Sequence, residues 1–114
     1  AKRTDSNQTE IVTALRKVGC SVAITSAIGK GFPDLVVGWK GRNFLFEVKD
    51  GEKTPSRKKL TPDEEKFHKF WFGTVSIVEN VDDALRLIGQ LSNFLLTLKV
   101  ENMKKVKVGQ KIWA

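Results

Sequence analysis

Charges at the end of a hydrophobic hairpin constrain this sequence most. Residues 31–51 read GFPDLVVGWKGRNFLFEVKDG, with Asp34 before the first apolar run and Glu47 and Lys49 at the end of the second. Apolar runs rich in Val and Phe, separated by a short Gly-containing segment, are typical of a β-hairpin. A buried strand pair does not normally carry three charged residues at one end, so their arrangement needs an explanation.

The register of the hairpin predicts that these charges form one cluster. A two-residue turn at residues 40–41, with glycine at its second position, pairs Asp34 with Glu47. Directly opposed residues have Cβ atoms about 4.5–5.5 Å apart, so the two carboxylates are expected side by side. Strand alternation places Lys49 on the same face and turns Val48 to the other face.

Two adjacent carboxylates repel each other, and a divalent cation resolves that repulsion. Oxygen ligands from Asp34, Glu47 and the backbone carbonyl of Val48 favour Mg²⁺ or Mn²⁺ over zinc. Beside such an ion, Lys49 could orient or deprotonate a water molecule or hold a phosphate oxygen, which is the machinery of phosphodiester hydrolysis. The alternative is a surface patch in which Asp34 starts a turn and Glu47 and Lys49 form an exposed ion pair.

Composition favours one basic, cytoplasmic domain. The chain has 114 residues, 40% of them hydrophobic, and carries 20 Lys and Arg against 13 acids, for a net charge of +7. That excess favours a polyanionic partner, with nucleic acid ahead of an anionic membrane, although it could serve solubility alone. The single cysteine, Cys20, and single histidine, His68, exclude an internal disulfide and the usual four-ligand zinc site. The run NFLLTLKV is too short to span a bilayer.

The remaining elements predict an α/β fold with a mixed central β-sheet flanked by α-helices. The expected order is helix, strand, hairpin, helix, strand, helix. Asn7 and Glu10 could form a capping box at the first helix, which Gly19 ends. A strand is expected at residues 20–27 and a polar, basic loop at residues 50–59.

A second helix is predicted after this loop, with Thr61 as its cap and Pro62 at its first position. Phe67, Phe70 and Trp71 are expected to face the core, and His68 to be exposed. The segment TVSIVE predicts a strand, and Asn80 is expected to cap a final helix. Cys20 should be a small buried residue. Trp39 at the hairpin tip could stack on a base or pack on a partner subunit.

Residues 90–114 are treated as a C-terminal extension of the single domain. LSNFLLTL could form helix or strand, and the lysine-rich segment after it shows a Val–Lys alternation that favours a basic strand. The extension could be a dimerisation arm or an extra edge strand of its own subunit.

The spacing of Asp34, Glu47 and Lys49 resembles the PD-(D/E)XK nuclease signature. The segments NQTEIVTALRKVG, GKGFPDLVVGWKGRNFLFEVKDG, LTPDEEKFHKFW and VDDALRLIG together resemble the virus-type replication–repair nuclease (VRR-NUC) family, over residues 6–89. Stand-alone modules of this kind occur mostly in bacteriophages. The resemblance implies a restriction-endonuclease-like core, Asp34 and Glu47 as metal ligands and Lys49 as the catalytic lysine. It also implies Glu10 as the first-helix acid that completes the metal shell. The sequence departs from the family at Glu64, where the family has glutamine, and Glu64 also fits a capping box with Thr61.

The expected function is therefore Mg²⁺- or Mn²⁺-dependent cleavage of branched DNA, above all four-way (Holliday) junctions, by a homodimer. The alternatives are a nicking or flap nuclease, or a DNA-binding assembly module that does not cut. No membrane and no nucleotide cofactor are expected, and the compartment would be the cytoplasm, that of the host if the protein is phage-encoded. The expected phosphate-contacting residues are Lys30, Lys53, Arg57, Lys58 and Lys59.

Overall fold

The structure is a computed structural model that describes residues 7–89 together with residues 96, 98–101 and 103. Its helices and strands are α1 (Gln8–Lys17), β1 (Ser21–Ile24), β2 (Leu35–Trp39), β3 (Arg42–Val48), α2 (Pro55–Lys58), α3 (Pro62–Phe70), β4 (Val75–Val78) and α4 (Val81–Ile88). A 3₁₀ turn at Ser26–Ile28 lies between β1 and β2.

The four strands form one mixed sheet in the order β1-β2-β3-β4. β1, β2 and β3 pair antiparallel, whereas β3 and β4 pair parallel and are joined by a crossover that contains α2 and α3. The predicted α/β class, with a mixed sheet flanked by helices, is confirmed.

The predicted hairpin register is also confirmed. Leu35 pairs with Phe46, and Trp39 pairs with Arg42 across the turn. Lys40 and Gly41 have φ values of 48° and 76°, so both central residues lie in the left-handed region, as a type I′ turn requires.

The hydrophobic core lies between one face of the sheet and the helices α1 and α4. The buried strand residues are Leu35, Val37, Phe46, Val48 and Val78, and the helix residues packed against them include Ile11, Leu15, Leu85 and Ile88. Val48 therefore faces the core, as strand alternation predicts, which turns Glu47 and Lys49 toward the opposite face.

Helix α3 has the predicted cap but not the predicted buried face. Thr61 and Glu64 form a capping box, yet Phe70 and Trp71 are exposed, so their assignment to the core was wrong. The buried residue of α3 is Glu64, at 2% exposure. Since a helix turns about 100° per residue, Phe70 lies about 120° round the axis from Glu64 and points away from the sheet.

Of the other predicted helix ends, two are confirmed and one is wrong. Asn80 caps α4 by accepting a hydrogen bond from the Asp83 N–H, and Gly19 follows the end of α1 with a φ of 104°. Asn7 makes no side-chain cap, so the capping box with Glu10 was wrong. Its amide is used instead for long-range contacts described below.

Two further differences concern segment boundaries. The region 50–59 is not a continuous loop, because it contains the single-turn helix α2 that begins at Pro55, a residue suited to the first helical position. The strand expected at residues 20–27 is shorter and gives way to the 3₁₀ turn.

Residues 96, 98–101 and 103 are helical. At residues 96 and 98 the open choice for LSNFLLTL is therefore helix, and at residues 99–101 and 103 the predicted basic strand was wrong. The Val–Lys alternation at residues 104–108 and most of the predicted dimerisation arm lie outside the described residues. Within the part of the chain that the structure describes, none of the helices is both long enough and apolar enough to cross a membrane.

Candidate active site

The three charged residues of the hairpin lie together at its open end, away from the turn, and are buried. Asp34 directly precedes β2, Glu47 lies in β3, and their exposed fractions are 4% and 0%. Asp34 Oδ2 accepts a 2.8 Å hydrogen bond from the Val48 N–H. Continuing the observed register places Asp34 opposite Glu47. Because Asp34, Glu47 and Lys49 are all buried, the alternative of an exposed surface patch was wrong.

Short contacts hold the segment that leads to Asp34. The Thr25 N–H donates to the Asp34 carbonyl at 2.7 Å, and the Thr25 hydroxyl donates to the Pro33 carbonyl at 2.7 Å. Gly31, with a φ of 81°, lies so close to the first turn of α3 that an added Cβ would overlap the Asp63 carbonyl. The glycine-containing loop thus fixes both Asp34 and the start of α3.

Lys49 and Glu64 form a buried ion pair. Lys49 Nζ donates a 2.8 Å hydrogen bond to Glu64 Oε1, with side-chain exposures of 11% and 2%. The same oxygen accepts from the Thr61 N–H at 2.9 Å, and the Glu64 N–H donates to the Thr61 hydroxyl at 3.2 Å. The sequence left Glu64 as either a site residue or a cap; it forms the predicted capping box with Thr61 and also bonds Lys49, a contact that the sequence did not indicate.

Sequence reasoning missed two residues beside this cluster, and the first is His68. It is half-buried rather than exposed, and its Nε2 is buried without a hydrogen bond among the described residues. Burial lowers the pKa of His68, the Glu64 charge acts to raise it, and Lys49 acts to lower it. The spacing of four residues from Glu64, which puts both on one helix face, was the available signal.

The second missed residue is Asn7. Its Nδ2 donates to the Lys49 carbonyl at 3.0 Å and to the Glu79 carbonyl at 2.8 Å. It thereby ties the N-terminus of α1 to the ends of β3 and β4. Its partners lie 42 and 72 residues away in sequence, so no local pattern could indicate these contacts.

Glu10 is placed in a different setting from Asp34 and Glu47. It is exposed on α1 and lines a pocket with Asp50 and Glu79. Within the described residues, no group of three or more His, Cys, Asp or Glu side chains is arranged to hold a metal ion. The structure therefore does not assemble Glu10, Asp34 and Glu47 into a three-acid group, and the role of Glu10 stays a prediction.

The remaining donor set fits a magnesium-type ion of the kind that handles phosphates. Mg²⁺ in such sites is bound through one or two carboxylates together with waters and substrate phosphates. Asp34 and Glu47 supply two carboxylates on one face of the hairpin, and the Val48 carbonyl lies between Glu47 and Lys49 in the chain. The set contains only hard oxygen donors, which match Mg²⁺ or Mn²⁺.

The basic candidates are spread over two regions. Lys30 is exposed and lines a groove with Lys66, Phe70 and Trp71. Lys58 Nζ lies 3.4 Å from the Glu79 carboxylate, so its charge is already paired in part. Of the other predicted phosphate contacts, Lys53 and Lys59 are exposed and Arg57 lies on α2.

Trp39 packs within its own subunit. It lies against the edge of the hydrophobic core, and Gly19 leaves room for its ring, since an added Cβ would stand 3.1 Å from it. Lys40 Nζ lies 5.3 Å from the centre of the ring. Cys20 is buried as predicted, and burial raises the pKa of its thiol.

Comparisons of the chain with protein-family models, with curated proteins and with solved structures gave no match.

Proposed function

We propose that this chain is a Mg²⁺- or Mn²⁺-dependent DNA endonuclease with a restriction-endonuclease-like core, related to the VRR-NUC family. The observation that carries the proposal is the buried cluster of Asp34, Glu47 and Lys49 at one end of the β2–β3 hairpin. Buried ionisable groups are costly to the fold unless they are paired or hydrogen-bonded, and where several gather at one place they are candidates for a functional site.

Each member of the cluster has a distinct role in the proposed reaction. The carboxylates of Asp34 and Glu47, with the Val48 carbonyl, would hold the divalent cation. When bound, that cation would polarise the scissile phosphodiester and favour deprotonation of the attacking water. Lys49 carries the positive charge that would position this water or contact a phosphate oxygen.

Glu64 would act by holding the Lys49 ammonium group in place. The 2.8 Å bond between them restricts a long, flexible side chain to one orientation. Because catalytic groups lose effect when they are misplaced by about 1 Å, this restriction bears directly on the proposed reaction.

The net charge of +7 supports DNA as the partner. We further propose that branched DNA is the substrate, with four-way junctions cut by a homodimer that presents two cluster sites to two opposed strands. A nicking or flap nuclease would catalyse the same reaction but would act as a monomer. Sedimentation separates these two forms by mass.

The experiment is cleavage of labelled four-way junctions, flaps and duplexes with Mg²⁺, Mn²⁺ or EDTA. The proposal predicts cutting that requires a divalent cation and is strongest on branched substrates. Absence of cutting on every substrate with either metal would refute it.

A non-cleaving DNA-binding module is the second candidate, and one observation favours it. All three cluster residues are at most 9% exposed, and the Lys49 ammonium is bonded to Glu64 rather than turned toward solvent. Such a module would bind DNA with strong salt dependence but would release no heat with Mg²⁺ or Mn²⁺ in calorimetry.

A further inference from the structure

Four aromatic side chains lie at the end of α3 and directly after it, and all but the half-buried Phe67 are exposed. We call Phe67, Phe70, Trp71 and Phe72 the aromatic patch. Phe72 is fully exposed, and Phe70 and Trp71 are exposed to 64% and 44%. Large apolar side chains so exposed and so close together are typical of a binding surface rather than of an inert one.

Two rings of this patch, Phe67 and Trp71, are held by contacts with other rings. Phe67 and Trp71 stack with their centroids 4.9 Å apart and an interplanar angle of 17°. Phe32 packs edge-on against Phe67 at 5.5 Å. A platform that is already ordered loses little further entropy when a planar ligand stacks on it.

Lysines surround the patch. Lys30 and Lys66 line the same groove as Phe70 and Trp71, together with one acid, Asp63. Lys69 Nζ lies 5.5 Å from the centre of the Phe70 ring. The partner should therefore offer planar rings and negative charges at short spacing.

We propose that the aromatic patch binds single-stranded DNA, with its rings stacking on unpaired bases and the lysines contacting the phosphates. Stacking on aromatic side chains beside a basic groove is how proteins bind single strands without sequence preference. A duplex cannot use the rings in this way, because its bases already stack on one another.

The charge argues against a second copy of the chain on this surface. A two-fold interface brings the same patch of each subunit together. Here that would place Lys30, Lys66 and Lys69 of one subunit against their own copies, in a protein of net charge +7. Single-stranded DNA neutralises these charges instead.

The patch also lies on the helix that contacts the candidate active site. Glu64, which bonds Lys49, precedes Phe67 by three residues, or about 4.5 Å along the helix axis. This link to cleavage rests on the proposed function: an unpaired segment on the patch would place a neighbouring phosphate near the hairpin cluster. Flaps and junctions with open arms would then be preferred over intact duplex.

The test measures binding in EDTA, so that it needs neither metal nor cleavage. Fluorescence anisotropy would follow a labelled oligothymidine of about 12 nucleotides and a duplex of the same length. Phe70→Ala and Trp71→Ala should each weaken binding to the single strand by about fivefold or more, and leave duplex binding within about twofold. Lys66→Gln should weaken both and lower the salt dependence of both.

Matched controls lie on the other side of the sheet. Leu87→Ala removes an exposed apolar side chain from α4, and Lys17→Gln removes an exposed lysine from α1. Neither should weaken single-strand binding as the patch variants do. Circular dichroism would establish that all variants are folded.

Three outcomes would overturn the proposal. The first is that both aromatic variants bind the single strand as tightly as the wild type. The second is that they lose affinity for the single strand and for the duplex equally. The third is that their sedimenting mass changes while their DNA binding does not, which would make the patch a subunit contact. Metal-dependent cleavage is scored separately with Asp34→Asn, so failure of the patch leaves the nuclease proposal standing, and failure of cleavage leaves the patch standing.

Discussion

Lys49 Nζ donates a 2.8 Å hydrogen bond to Glu64 Oε1, and this contact joins the end of β3 to the first turn of α3. Both side chains of this ion pair are nearly buried, whereas those of the Lys58–Glu79 and Arg86–Asp83 pairs are more exposed. The contact links the candidate catalytic lysine to the element that carries the aromatic patch.

Glu64→Ala should lower the free energy of unfolding by about 3–5 kcal/mol, because it leaves the Lys49 ammonium buried without its partner. Glu64→Gln should cost less, since the amide oxygen can still accept from Lys49 and from the Thr61 N–H. Urea denaturation measures both. Lys49→Met should be less harmful in the Glu64→Ala background than in the wild type, and equal costs in the two backgrounds would show that the pair is not coupled.

Gly31→Ala should destabilise the protein more than Gly41→Ala. Both residues have positive φ, so each substitution carries a backbone cost of about 1–2 kcal/mol. Only at Gly31 would the new Cβ also overlap the backbone of Asp63, whereas nothing lies within 4 Å of it at Gly41. Equal losses in the midpoint of urea denaturation would contradict the close packing of this loop on α3.

The lowered pKa of His68 should make the free energy of unfolding depend on pH. Burial lowers its pKa in the folded state below the ordinary value of 6.5, so the unfolded chain binds more protons in that window. The free energy of unfolding should therefore fall as the pH drops through 6.5, and level off below the folded pKa. His68→Gln should show a smaller loss of stability between about pH 7.5 and about pH 5.5. An unchanged loss would show that His68 is not involved.

The hairpin could be predicted from the sequence because the residues that determine its turn and register are close together in the chain. The glycine at position 41 sets the turn, the turn sets the register, and the register brings Asp34 to Glu47. The caps Thr61 and Asn80 were predicted for the same reason, since a cap and its partner lie three residues apart.

The partners of the cluster could not be predicted in this way. Periodicity showed that Phe67, Phe70 and Trp71 share a helix face but not which face the sheet would cover. The buried residue of α3 is Glu64, which compensates the Lys49 charge, whereas Phe67 on the next turn is only half-buried and Phe70 is exposed. The contacts of Asn7 and the parallel pairing of β3 with β4 depend on residues far apart in the chain, for which the sequence offers no local signal.

The most direct test of the central claim compares cleavage and binding of a labelled four-way junction by wild-type protein, Asp34→Asn and Lys49→Ala in Mg²⁺. Asparagine keeps an oxygen that can accept the Val48 N–H bond, while it removes the charge and replaces the other oxygen with an amide NH2 group. We predict that the wild type cuts, that both variants lose cutting by at least about 100-fold, and that junction binding is retained. Undiminished cutting by both folded variants would contradict the assignment of the hairpin cluster as the active site.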